Sequence, residues 1–195
     1  MEHRLYLIRH GQTEWSANGR HTGYTDIPLT EEGEKQAVAA GEALRSLRGD
    51  TAPVTVFASP RQRALRTAEL AGLEVAEITE DLAEWDYGDY EGITTEEIRH
   101  TVPGWTVWSH PSPGGESAAQ VSARADSVLD RVHEALRDID VLLVGHGHFG
   151  RVVVARWLGL DAGSGVHFRL DPAGATVLGH ERGVPQIRQL NVLPG

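Results

Sequence analysis

The chain has 195 residues, 40% of them hydrophobic, no cysteine and a formal net charge of −10. That length suits one sizeable core in a single domain spanning 1–195, and the lack of cysteine excludes disulfides, thiolate nucleophiles and Cys-ligated zinc. The negative balance argues against nucleic acid and anionic lipid as partners, so positive charge for a phosphorylated ligand must be focused in a cleft of scattered Arg and His.

Met1, Glu2, His3 and Arg4 open the chain without an apolar leader, and no apolar run approaches the roughly 18 residues of a membrane span. The expectation is a cytoplasmic protein with no membrane partner. Arg4 to Arg9 reads as an apolar first strand, after which Arg9, His10 and Gly11 lie where the chain turns. Thr30 is placed to cap a helix with an acidic first turn (Glu31, Glu32, Glu34), an apolar face of Ala37, Ala40, Gly41, Leu44 and Leu47, and Gly49 at its end. Val54 to Ser59 reads as a short buried strand. Ser59 as N-cap and Pro60 as first helical residue predict a helix running to about Ala71.

Thr94 with Glu97 makes a capping box for a short helix. Prolines and glycines around Trp105 and Trp108 predict a surface insertion over about 93–115, a candidate lid. Ser117 to Arg137 carries one apolar stripe at helical spacing, from Val121 to Leu136. Val141 to Val144 is a continuous apolar strand of the kind covered on both faces. Phe149 to Leu158 reads as helical, and short strands follow around Gly174 and Gly183. The alternation predicts an α/β fold, with a mostly parallel central sheet flanked by helices on both faces.

Strand ends carry the chemistry. The first strand delivers Arg9 and His10, the second Arg61, and the strand at 141–144 delivers Gly145, His146 and Gly147, all at carboxyl ends, which share one edge of a parallel sheet. The helix opening near Pro60 adds its positive end. Two arginines and two histidines at one place suit a phosphoryl group: Arg meets the equatorial oxygens, and a neutral imidazole attacks phosphorus. His10 is the candidate nucleophile, its pKa depressed by the two arginines, and Gly11 beside it is expected to let backbone approach ligand.

The ordered set Arg9-His10-Gly11, "GRHTGYTDIPLT" from Gly19, "SPRQRALRTA" from Ser59, "EWDYGDYEG" from Glu84 and "GHGHFGR" from Gly145 resembles the histidine phosphatase superfamily, with its phosphoglycerate-mutase-like fold, over nearly the whole chain. Within it, "RHGQTEWS" and "EWDYGDYEG" are most similar to the branch of sedoheptulose-1,7-bisphosphatases and small bacterial acid phosphatases. The resemblance implies transient phosphorylation of His10, a cradle of Arg9, Arg61 and His146, and Glu84 as proton donor to the leaving group. It further implies that Thr22 and Gly23 line the phosphate site and that Ser16 and Tyr87 face substrate, with Ser16 departing from the Asn of many relatives. No cofactor or metal is implied; the partner is a small phosphorylated metabolite, and the chain is expected to be a monomer or homodimer.

Other readings stand beside these. His146, His148 and Glu84 form a rival metal site, disfavoured by the flanking arginines. Arg151, one turn into the last helix, is either a substrate-facing cation or a core-edge ion pair. His3, His21, His100, His110, His133, His167 and His180 read as structural, Arg20, Arg63, Arg66 and Arg99 as solvated or ion-paired surface groups, and Trp85 and Asp86 as an aromatic anchor and acidic loop. A short, cation-poor insertion favours hydrolysis over mutase-type retransfer. The intact set of nucleophile and acid speaks against a non-catalytic binder of phosphorylated ligands.

Overall fold

The computed structural model describes residues 3–49 and 54–194; Met1 and Glu2 lie outside them. In chain order come β1 (Leu5–Arg9), α1 (Glu14–Asn18), α2 (Glu31–Arg48), β2 (Val54–Ala58), α3 (Gln62–Leu70) and β3 (Glu77–Ile78). Then follow α4 (Thr95–Arg99), α5 (Ala118–Ala135), β4 (Asp140–Gly145), α6 (Gly147–Trp157), β5 (Ala175–Glu181) and β6 (Val184–Val192).

The strands form one sheet in the order β3-β2-β4-β1-β5-β6. β3, β2, β4 and β1 run parallel, whereas β5 and β6 return antiparallel as an edge hairpin. Strand periodicity of two sorts the apolar side chains onto opposite faces. Leu5, Leu7, Val141 and Leu143 join the core beneath α5 and α6, while Tyr6, Ile8, Leu142 and Val144 join the core beneath α2 and α3. The predicted flanked, mostly parallel α/β sheet is therefore present, and the continuous apolar run of β4 has its cause in two covered faces.

Two local expectations need correction. Helix α3 begins at Gln62 with Arg61 as its N-cap residue, so Ser59 and Pro60 do not open it. The Ser59 hydroxyl lies 2.6 Å from His146 Nε2 and accepts a long bond from the Arg61 N–H at 3.4 Å, while the Gln62 N–H donates to Asp26 Oδ1 at 2.9 Å, a cap supplied from 36 residues away. The insertion at 93–115 is not a surface excursion either. Trp105 in it is wholly buried and donates through Nε1 to the Pro111 carbonyl at 3.1 Å. Burying an indole contributes on the order of 4 kcal/mol, which pins this segment to the body.

Candidate active site

Parallel pairing of β1 with β4 places Arg9 opposite Gly145, so the next residues, His10 and His146, emerge side by side with ring centroids 5.3 Å apart. Both rings are buried. His10 Nδ1 lies 2.7 Å from the Gly11 carbonyl oxygen, which only accepts, so Nδ1 carries the hydrogen and a neutral ring keeps its lone pair on Nε2. Burial, followed by Arg63 and Arg9, holds the His10 pKa well below its usual 6.5. Burial thus leads over charge, and the second arginine is Arg63 rather than the expected Arg61.

Arg63, expected as a surface group, is fully buried. Its Nη1 donates to the Thr25 carbonyl (2.8 Å) and its Nη2 to those of Thr22 (3.1 Å) and Gly23 (2.9 Å). Arg61 instead turns to Glu80 at 3.1 Å and lines a neighbouring cavity with Gly23 and Tyr24. Arg61 is the extended N-cap residue of α3, whereas Arg63 sits in the first turn of the helix on its buried face, so the two guanidiniums end in different places. A sequence signal for Arg63 existed, since it shares the buried face of α3 with Ala64, Thr67 and Ala68.

Arg9 donates through Nη1 to the Leu170 carbonyl (2.8 Å), and its guanidinium lies so close to Gly147 that a Cβ there would sit 3.2 Å from Cζ. His146 Nε2 is 2.6 Å from Ser59 Oγ. What remains is a set of buried polar atoms without hydrogen-bond partners among the described residues: Nε of Arg9, Arg61 and Arg63, and Nδ1 of His146. Such atoms are costly in a dry interior, and the oxygens of an anion would satisfy them.

Glu84 faces this group across the sheet edge. Its Oε1 accepts from the backbone N–H groups of Trp85 (2.9 Å) and Phe149 (2.6 Å), and its Oε2 from that of His148 (3.0 Å). The carboxylate thereby caps α6, whose N-cap residue His146 makes no side-chain cap bond. With Oε1 doubly engaged, Oε2 has room for a proton. Arg124 fixes the segment by donating to the Asp81, Ala83 and Glu84 carbonyls while paired with Glu116.

A cavity of about 230 Å³ opens over His10 and takes in Arg9, Ser16, Thr22, Glu84, Tyr87, Gly147 and Arg151 of the expected residues. His146 and Arg63 do not line this cavity; the His146 ring stands 5.3 Å, centroid to centroid, from that of His10. Gly11 serves packing, not ligand approach: a Cβ there would lie 2.2 Å from the Gly33 carbonyl oxygen of α2. Gly23 is likewise spent within the protein, its N–H on the Glu91 carboxylate at 2.9 Å and its carbonyl on Arg63. Ser16 lines the cavity, but its Oγ closes a capping box with Thr13. Arg151 donates to the Gly165 and Val166 carbonyls, stacks over Trp108 at 4.5 Å and has no carboxylate within ion-pair distance among the described residues, so the ion-pair reading gives way to a cation on the cavity wall.

The rival metal site does not assemble. His146 Nε2 is held by Ser59, His148 Nδ1 by Tyr87 and both Glu84 oxygens by backbone N–H groups, and no cluster of three ligating side chains occurs among the described residues.

Burial has a consequence for stability. His10, His146 and His148 are held well below 6.5 by burial first, and His21 is lowered to about 4 by the same cause. Unfolded, each imidazole takes a proton near pH 6.5; folded, it stays neutral, so the unfolded state binds more protons in between. Stability is therefore full above about pH 7 and falls as pH drops below 6.5 toward the folded values, each ring contributing about 1.4 kcal/mol per pH unit in its window. Urea melts between pH 8 and pH 4.5 check this; a flat midpoint would contradict it.

A sequence profile described as histidine phosphatase superfamily (branch 1) matches residues 5–193. The chain is 50% identical over 190 residues to an acid phosphatase of Mycobacterium tuberculosis, covering 97% of this chain and 93% of that protein. It is 34% identical over 185 residues to sedoheptulose 1,7-bisphosphatase of Saccharomyces cerevisiae, covering 80% and 68%. A solved Mycobacterium tuberculosis structure superposes with a TM-score of 0.96 at 48% identity, covering 100% of both chains.

Proposed function

Because the chain belongs to the histidine phosphatase superfamily and is a phosphatase working through a phosphohistidine intermediate, we propose that His10 is its nucleophile, Arg9, Arg63 and His146 its phosphoryl cradle and Glu84 its acid and base. The substrates are small phosphomonoesters, sugar phosphates and bisphosphates among them, and the retention of such charged metabolites inside cells supports a cytoplasmic enzyme. The observation that carries the assignment is the His10–Gly11 hydrogen bond, which leaves the Nε2 lone pair free in a site where the Nε atoms of Arg9 and Arg63 have no hydrogen-bond partner among the described residues.

The steps follow from these positions. Nε2 attacks phosphorus, the bond to the leaving oxygen breaks, and Glu84 Oε2 gives that oxygen its proton. The Gly11 carbonyl meets the positive charge that the ring acquires at Nδ1–H. Glu84, now a carboxylate, takes a proton from water as that water attacks phosphorus; the P–N bond breaks and neutral His10 returns. Charge on the equatorial oxygens is met by the guanidiniums of Arg9 and Arg63, so no step requires a metal.

Phosphate release from p-nitrophenyl phosphate, sugar mono- and bisphosphates and 3-phosphoglycerate is expected to be unchanged by EDTA and to persist at mildly acid pH, where His10 is still neutral. Loss of activity in EDTA with recovery on adding zinc would overturn the assignment.

A further inference from the structure

His148 joins the acid to the cavity wall. Its backbone N–H donates to Glu84 Oε2, and its ring lines the cavity with Tyr87 and Arg151. The Tyr87 hydroxyl lies 2.6 Å from His148 Nδ1. Burial keeps that hydroxyl protonated, and among the described residues it has no other partner, so its proton goes to Nδ1. Burial, with His21, Arg151 and Arg9 nearby, keeps the imidazole neutral. A neutral ring that accepts at Nδ1 carries its hydrogen on Nε2, and Nε2 meets no acceptor among the described residues. Trp108 at 5.1 Å, T-shaped, and His21 at 5.9 Å set the plane of the ring.

An uncharged donor in a fixed orientation does not suit a metal, and with Arg9, Arg63 and His146 assigned to the phosphoryl oxygens it is left for the rest of the substrate. It suits an oxygen on the alcohol side of the substrate, next to the carboxyl that protonates the leaving group. We propose that His148, held by Tyr87, is a specificity-determining residue whose Nε2–H donates to a hydroxyl oxygen of a polyhydroxylated phosphomonoester, selecting sugar-like leaving groups over bare alkyl ones. The proposal rests on the phosphatase reading. His148 is half-buried on the cavity wall, so a substrate that covers its Nε2–H without offering an acceptor strips that donor of water unpaired, which gives the selection its direction.

The test compares kcat/KM for ribose 5-phosphate and n-pentyl phosphate, both esters of a primary alcohol, on the full chain. The wild type is expected to favour the sugar ester by about tenfold or more. His148→Asn, whose amide reaches the Nδ1 position but not Nε2, removes most of that preference, and His148→Gln, whose amide reaches Nε2, restores much of it. Proportional loss on both esters in His148→Asn marks a merely structural residue and overturns the proposal, as does a wild type with no sugar preference. A wild type that hydrolyses neither ester nor p-nitrophenyl phosphate fails the phosphatase reading itself. Should the variants not fold, long-range ¹H–¹⁵N spectra of the wild-type imidazole decide: an Nε2–H tautomer at His148 supports the proposal, and an Nδ1–H tautomer overturns it.

Discussion

His10→Ala is expected to lower phosphate release by about a thousandfold or more while leaving inorganic phosphate binding measurable. The two effects separate because the substitution removes only the attacking nitrogen; Arg9, Arg63 and His146 keep their places at the edges of β1, α3 and β4. Rapid acid-free quenching of wild type with ³²P-labelled substrate should trap a phosphoenzyme stable in base and labile in acid, as a P–N bond is, and the variant should trap none. Residual turnover above about a few per cent of wild type would remove His10 from the role of nucleophile.

The second large effect distinguishes two arginines two residues apart. Arg63→Ala is expected to cost about 10²- to 10³-fold in kcat/KM, the range for removing one donor aimed at developing charge, and Arg61→Ala less than about tenfold. Arg63 is wholly buried, is held by three loop carbonyls and acts on the His10 ring more strongly than Arg9 does, whereas Arg61 turns its terminal nitrogens to Glu80 and lines the neighbouring cavity. Because Arg63→Ala also strands those carbonyls, thermal melts accompany the kinetics, and only folded protein is assayed. Arg63→Lys keeps the charge but loses the fork, so it should recover stability more than rate. Losses of equal size in the two alanine variants, or a larger one at Arg61, would return the cradle to Arg61.

Acid behaviour links the two halves of this design. The burial that keeps His10 a nucleophile in mild acid is the burial that makes folding weaken there, since His146, His148 and His21 share it. Activity and stability are thus expected to diverge between about pH 6.5 and 5, the catalytic ring staying neutral while the fold loses free energy to protonation of the unfolded chain.

The sequence by itself determined β1, β2 and β4, the α/β class, the caps at Thr30 and Thr94, and the convergence of Arg9, His10 and His146 on one sheet edge. These are local or periodic properties: a period of two, a period of 3.6, a capping side chain three residues from its donor, and the shared direction of parallel strands. Only the tertiary structure decided which arginine enters the site, because the start of α3 is set by Asp26, distant in sequence, and by the claim of His146 on Ser59. For the same reason Gly11 turned out to serve α2 and Gly23 to serve Glu91 and Arg63, close approaches that no local pattern encodes. The contact of His148 Nδ1 with the Tyr87 hydroxyl belongs with them, since it joins residues 61 apart in the chain.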